Sequence, residues 1–146
     1  MKRLFAVLTL TLAASFVAAG AVPQSAGDFP ADPKASPAYA VLVLQKAAVE
    51  GELADLSSKF TDGSRVVRAK RFELTSLKRE MGAMQTVGRD NVSKLSSAYG
   101  NLILNKVALE VELNGLLSNF TSDHPEVKKK RVELTALERE IENILK

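Results

Sequence analysis

From Ser36 onward, apolar residues recur at alternating steps of three and four, which is the seam of a coiled-coil helix. The first run is Tyr39, Leu42, Lys46, Val49, Leu53, Leu56 and Phe60, and the next is Val67, Lys70, Leu74, Leu77, Met81 and Met84. Both runs return further on, as Tyr99, Leu102, Lys106, Leu109, Leu113, Leu116, Phe120 and as Val127, Lys130, Leu134, Leu137, Ile141, Ile144. Aligned without a gap, residues 36–80 and 96–140 share 23 identities in 45 positions, so the second half duplicates the first at a constant offset of 60 residues.

Each copy therefore predicts two helices of about three heptads. They are joined by Thr61-Asp62-Gly63-Ser64 in the first copy and by Thr121-Ser122-Asp123-His124-Pro125 in the second. Links this short force an antiparallel helical hairpin. Asp123 is the expected helix cap in copy two, with Glu126 reaching back and Pro125 in the first turn, and Ser36-Pro37 marks the start of copy one. The expected fold is all-α: two tandem antiparallel, coiled-coil-like hairpins packed as a four-helix arrangement. The apolar residues broaden at the open end of each hairpin, where Ala40, Val41, Val43, Leu44, Ala47 and Ala48 join the stripe, and Val43-Leu44 recurs as Ile103-Leu104. Side chains apolar all round a helix need more than one partner, so the open ends should carry the core.

The segment between the copies admits two architectures. A continuous helix from about residue 66 to 120 would keep its seam with one stutter. Gly82, Gly88 and Asp90-Asn91 favour a break, since each glycine costs about 1 kcal/mol against alanine inside a helix. The expected organisation is a hairpin over 36–86, a linker over 87–95 and a second hairpin over 96–146.

The N-terminus has a different character. Met1-Lys2-Arg3 precedes an uncharged run from Leu4 to Val17, and Ala19-x-Ala21 fits a peptidase site, so residues 1–21 are the expected signal peptide. Residues 22–35, with Pro23, Pro30 and Pro33, are the expected flexible linker. Losing the signal would leave 18 Lys+Arg against 17 Asp+Glu, so the isoelectric point near 9.2 makes no case for nucleic acid. There is no cysteine, hence neither a disulfide framework nor a thiolate nucleophile. The simple signal and Cys-free remainder read as a periplasmic or secreted bacterial protein with no stable membrane insertion after cleavage.

Candidate chemistry is sparse. The single histidine, His124, has Ser64 as its counterpart, so the position does not require imidazole even within this chain. No phosphate loop, metal-ligand spacing or activated nucleophile is present, and neither catalytic residues nor a cofactor or metal are expected. What stands out is lysine at seam positions in both copies: Lys46/Lys106 and Lys70/Lys130. A polar residue there fixes register at a cost in stability. Counting out from the turn places Lys46 beside Glu80 and Lys106 beside Glu140, so these are the expected cross-hairpin pairs. Arg68, Arg71, Lys128, Lys129 and Arg131 make a basic stretch near each turn, open to polyanion or polysaccharide contact.

Residues Leu113-Asn114-Gly115-Leu116-Leu117-Ser118-Asn119-Phe120-Thr121-Ser122-Asp123-His124-Pro125-Glu126-Val127, followed by Arg131 to Ile141, resemble the periplasmic helical region of polysaccharide chain-length determinant proteins. There an aromatic-Thr-x-x-His-Pro-x-Val turn joins two helices. The resemblance covers about 30 residues of copy two and implies an accessory role in polysaccharide export. The duplicated seam by itself points to a non-enzymatic structural or protein-interaction module of the cell envelope, acting as a homo-oligomer or on an envelope partner. A holdase-like periplasmic chaperone is the alternative.

Overall fold

A computed structural model describes residues 32–146; the expected signal peptide and most of the proline-rich linker lie outside the described residues. A 3-10 turn (Pro33–Ala35) leads into α1 (Pro37–Lys59) and α2 (Arg65–Gln85). A second 3-10 turn (Arg89–Lys94) then leads into α3 (Ser97–Leu117) and α4 (Pro125–Leu145). The chain thus breaks between α2 and α3. The continuous helix does not form, because Gly88 takes up an extended conformation (φ −61°, ψ 149°) and the chain turns through residues 89–94.

The duplication extends to the helix caps. Ser36 Oγ accepts the Tyr39 N–H (3.2 Å), and its counterpart Ser96 Oγ accepts the Tyr99 N–H (3.3 Å). Pro37 sits at the first helical position, where its missing N–H costs nothing. At the second helix of each hairpin, Ser64 Oγ accepts the Val67 N–H (3.4 Å). In copy two the cap is His124, not the expected Asp123: His124 Nδ1 accepts the Glu126 N–H at 3.3 Å, while Asp123 lies 3.3 Å from Lys128 Nζ. Ser64 and His124 thus do the same work, satisfying an N–H that has no partner within the helix.

At the other ends of α1 and α3 the seam stops sooner than its spacing suggests. Phe60 is extended (φ −131°, ψ 152°) and leaves the line of α1, and α3 ends at Leu117. Phe60 and Phe120 are therefore exposed rather than packed in the seam. Phe120 instead stacks on His124, with ring centroids 4.1 Å apart.

Within each repeat the helices pair as expected, α1 with α2 and α3 with α4. The remaining packing is unequal. α3 also lies along both α1 and α2, whereas α4 packs on α3 and on the 89–94 turn. A single core fills the open ends: Ala38, Leu42 and Val49 from α1, Leu77, Met81 and Met84 from α2, Val92 and Leu95 from the linker, Tyr99, Ile103 and Val107 from α3, and Ile141 from α4. Tyr39, Leu74, Leu102 and Leu137 pack against it half-buried. Leu53, Leu56, Leu113, Leu116 and Leu134 are half-buried along the two hairpin seams toward the turns.

The tightest point between repeats is Gly100 of α3. A Cβ there would stand 3.0 Å from the Ala38 backbone and 3.1 Å from Val41 Cβ, so even a methyl group would push α1 and α3 apart by a few tenths of an ångström. Close by, the Ala38 N–H, in the first turn of α1 and without an intrahelical acceptor, donates to the Leu95 carbonyl at 3.1 Å.

Two glycine substitutions should therefore have opposite signs. Gly100→Val should destabilise by about 1–3 kcal/mol through overpacking. Gly115→Ala, on α3 where nothing stands within 4 Å of the new Cβ, should stabilise by about 0.5–1 kcal/mol. Urea midpoints at constant m-value check both.

Candidate interaction surface

Lys70 Nζ bridges Glu52 of α1 and Glu73 of α2, each at 2.7 Å. Lys130 Nζ bridges Glu112 of α3 and Glu133 of α4, each at 2.8 Å. The two triads are the same positions in the two copies, so each hairpin carries one clamp between its helices. Partial burial alone would lower the Lys70 pKa, but its two carboxylates outweigh this and raise it. The Lys130 ammonium is raised strongly by its hydrogen bonds to Glu112 and Glu133, and Glu133 is correspondingly lowered by Lys130.

The other pair of seam lysines behaves differently. Lys46 does not reach Glu80 but turns to Glu50, one helical turn along α1, at 2.8 Å, and its hydrogen bond lowers the Glu50 pKa. Glu80 is met instead by Lys106 of the other repeat at 3.0 Å, and Lys106 does not pair with Glu140, which is exposed. The cause is that α3 lies over α2 and carries Lys106 to Glu80, a contact that counting within a hairpin does not contain. Arg79 completes the group, lying 2.8 Å from Glu80 and 2.6 Å from Glu110 of α3. Hydrogen bonding to Glu110, then to Glu80, raises its pKa against the opposing effect of burial. Tyr99, at the same interface, is raised by burial and then by the Glu80 charge. Glu80 is only 7% exposed yet has two cations, so its charge is compensated where α2 and α3 meet.

Of the basic positions, Arg71 pairs with Asp62 and Lys128 with Asp123, while Arg68, Lys129 and Arg131 are exposed and in no ion pair among the described residues. Arg68 and Arg65 flank a cleft of about 260 Å³ between α2 and α3, completed by Ala69, Asn114, Gly115 and Ser118. Among the described residues no three His, Asp or Glu side chains group as a metal site. No helix there is long and apolar enough to cross a membrane.

Comparison with family models, curated proteins and solved structures finds no match to this chain. Its functional reading therefore rests on its own geometry. The features hidden from the spacing were the inter-repeat partners Arg79 and Glu110 and the second stripe of α3, formed by Gly100, Ile103 and Val107. The one visible trace of that stripe was the excess of apolar residues around α1 and α3 beyond a two-helix seam.

The ion pairs make stability depend on pH at both extremes. Glu50 and Glu133 have folded pKa values below the ordinary carboxylate value. Their contribution is present above about pH 4.3 and is lost as pH falls through the lowered values. Lys70 and Lys130 are raised. Their contribution is present below about pH 10.4 and is lost as pH rises through the raised values. The Tm followed by circular dichroism should be level between about pH 5 and pH 10 and fall on either side. Replacing Lys70 and Lys130 together by Met should shrink the acid fall, because Glu133 then returns toward its ordinary value. An acid limb unchanged by the double substitution contradicts the assignment.

Proposed function

We propose that this chain is a non-enzymatic, secreted helical-repeat protein that serves as a structural or protein-interaction module of the cell envelope. The observation that carries this reading is the pattern of what the duplication keeps. Both copies retain the interhelical clamp (Glu52–Lys70–Glu73 and Glu112–Lys130–Glu133) and the serine caps, all of which hold shape. The one imidazole is exchanged for a serine that also caps a helix.

Exposed apolar side chains on well-formed helices supply the interaction part. Leu44 on α1 is 72% exposed and Val132 on α4 is 70% exposed, each with further small or apolar residues beside it. The envelope address follows from the signal-like N-terminus and the small-residue cleavage pattern at Ala19-x-Ala21. A holdase would use the same exposed residues, but it would need a surface able to adapt to many clients. A rigid, ion-clamped hairpin is better matched to one defined partner.

Two measurements test the reading together. Expression in a bacterial host should yield a periplasmic species whose intact mass begins at Val22. A photo-crosslinking residue placed at Leu44 or Val132 in that host should give discrete adducts. A full-length mass held in the membrane, or no adduct from either position, contradicts the proposal. Suppression of aggregation of a denatured protein at stoichiometric amounts would transfer the reading to a chaperone.

A further inference from the structure

The two repeats have the same sequence pattern but differ in what covers them. On α3 the stripe Gly100, Leu104, Val107, Val111, with Ile103 beside it, is buried or half-buried against repeat 1. The same positions on α1 are Ala40, Leu44, Ala47 and Gly51, with Val43 beside them, and all five are exposed. This is an uncharged stripe at steps of four and three that faces nothing among the described residues.

The receiving surface is repeated in the same way. On α2, Ser76 is 2% exposed and Glu80 is buried beneath α3. Their counterparts on α4, Ala136 and Glu140, are exposed, as is Val132, the counterpart of half-buried Phe72. On the first helix of each repeat, Ala38 is buried under Gly100, whereas its counterpart Ala98 is exposed. Repeat 1 thus presents an unused copy of the docking stripe, and repeat 2 presents an unused copy of the surface it docks on.

We propose that the inter-repeat interface is used a second time between chains: α1 of one copy docks across α3 and α4 of another, head to tail. This deepens the interaction-module reading and rests on it, by naming a second copy of this chain as the partner. Charge complementarity favours that occupant. Inside the chain the interface is closed by Lys106–Glu80 and Arg79–Glu110. The corresponding groups between copies are Lys46 with Glu140 and Arg139 with Glu50. Arg139 and Glu140 are exposed and in no ion pair among the described residues. Lys46 and Glu50, paired with each other in one chain, with Lys78 as a further cation 3.8 Å from Glu50, lie beside the exposed stripe and are turned over to the new partners on docking.

The intermolecular version is the weaker one. Ile103, Val107 and Val111 are replaced by Val43, Ala47 and Gly51, so less apolar area is removed from water. Ala40 stands where Gly100 does and Asn101 where Val41 does, so the two copies dock a few tenths of an ångström further apart than the two repeats. It also lacks the effective concentration, of the order of millimolar, that a short linker gives the two repeats. Because the two surfaces differ, each docking leaves one of each free. The interface is heterologous, and growth continues until a ring closes or the chain of copies ends.

Sedimentation equilibrium on the purified protein from about 10 μM to about 1 mM, the range set by that effective concentration, provides the test. The mass should rise with concentration. Leu44→Asp should block the docking stripe and Val132→Asp the receiving surface, each giving single chains. Both positions are on exposed helix faces, so helicity should be retained, which circular dichroism checks. Mixing the two variants should restore association but stop it at two chains, because each supplies the surface the other lacks. Arg139→Glu with Glu140→Lys should weaken association at least about tenfold, by like-charge juxtaposition. Single chains at every concentration, or no restoration in the mixture, overturns head-to-tail docking. If adducts from Leu44 persist in cells beside that result, the module reading stands with a different partner; if they too are missing, both fall.

Discussion

Everything distinctive about this fold depends on the docking of α3 against the α1–α2 hairpin. A hairpin of three heptads buries one stripe and is too small to be comfortable alone. α3 supplies what is missing, because it carries a seam toward α4 and a second stripe toward repeat 1. Burying Ile103 and Val107 in that second stripe is worth roughly 1.5–3 kcal/mol for each side chain. The crossing is this close because Gly100 lets α3 approach the backbone at Ala38. The same approach brings Lys106 to Glu80, and Arg79 to Glu110, so the carboxylate that α3 covers is not left without a cation.

The clamps and the Glu80 group, the two sets of ion pairs that join helices, have different roles. The Lys70 and Lys130 clamps lie within each hairpin and are only partly buried, so their value is chiefly in fixing how the two helices slide against each other. The Glu80 group lies between repeats and is more deeply placed. Its desolvation makes it a poor source of net stability but an effective selector of arrangement, since losing one partner leaves a covered charge. Positions 46 and 106 show how completely context decides. The same lysine at the same seam position bonds its own helix in one copy, whereas in the other it reaches Glu80 of the neighbouring repeat at 3.0 Å and, less closely, Glu138 of its own hairpin at 3.7 Å.

The helices, the hairpins, the turn positions and the place of the core at the open ends were legible in the sequence, because heptad spacing and short polar links encode them locally. However, Ala40, Val43, Leu44, Ala47 and Ala48 of α1, expected to join that core, are exposed. Partner choice was not. Lys46 and Glu80 are well placed for each other when a hairpin is considered alone, and only the position of α3 sends Lys106 there instead. The capping role of His124 was partly visible, since its counterpart Ser64 is a good cap, but Asp123 is the better cap by residue type and offered a competing solution. Phe60 and Phe120 continue the apolar spacing past the point where the backbone leaves the helix, and spacing alone does not register that end. The asymmetry between α1 and α4 on one side and α2 and α3 on the other follows from there being two repeats in one chain, with one interface between them and two surfaces left over.

The claim that α3 welds the hairpins into one unit can be measured directly, because the chain contains no tryptophan. Tryptophan placed singly at Phe60 and at Phe120, both exposed at the turns, reports the unfolding of repeat 1 and of repeat 2 in separate proteins. One unit predicts that the two urea transitions coincide with each other and with the loss of helicity, and that adding Gly100→Val lowers both midpoints equally. Two separated transitions, with Gly100→Val moving only the one reported at Phe120, would contradict it.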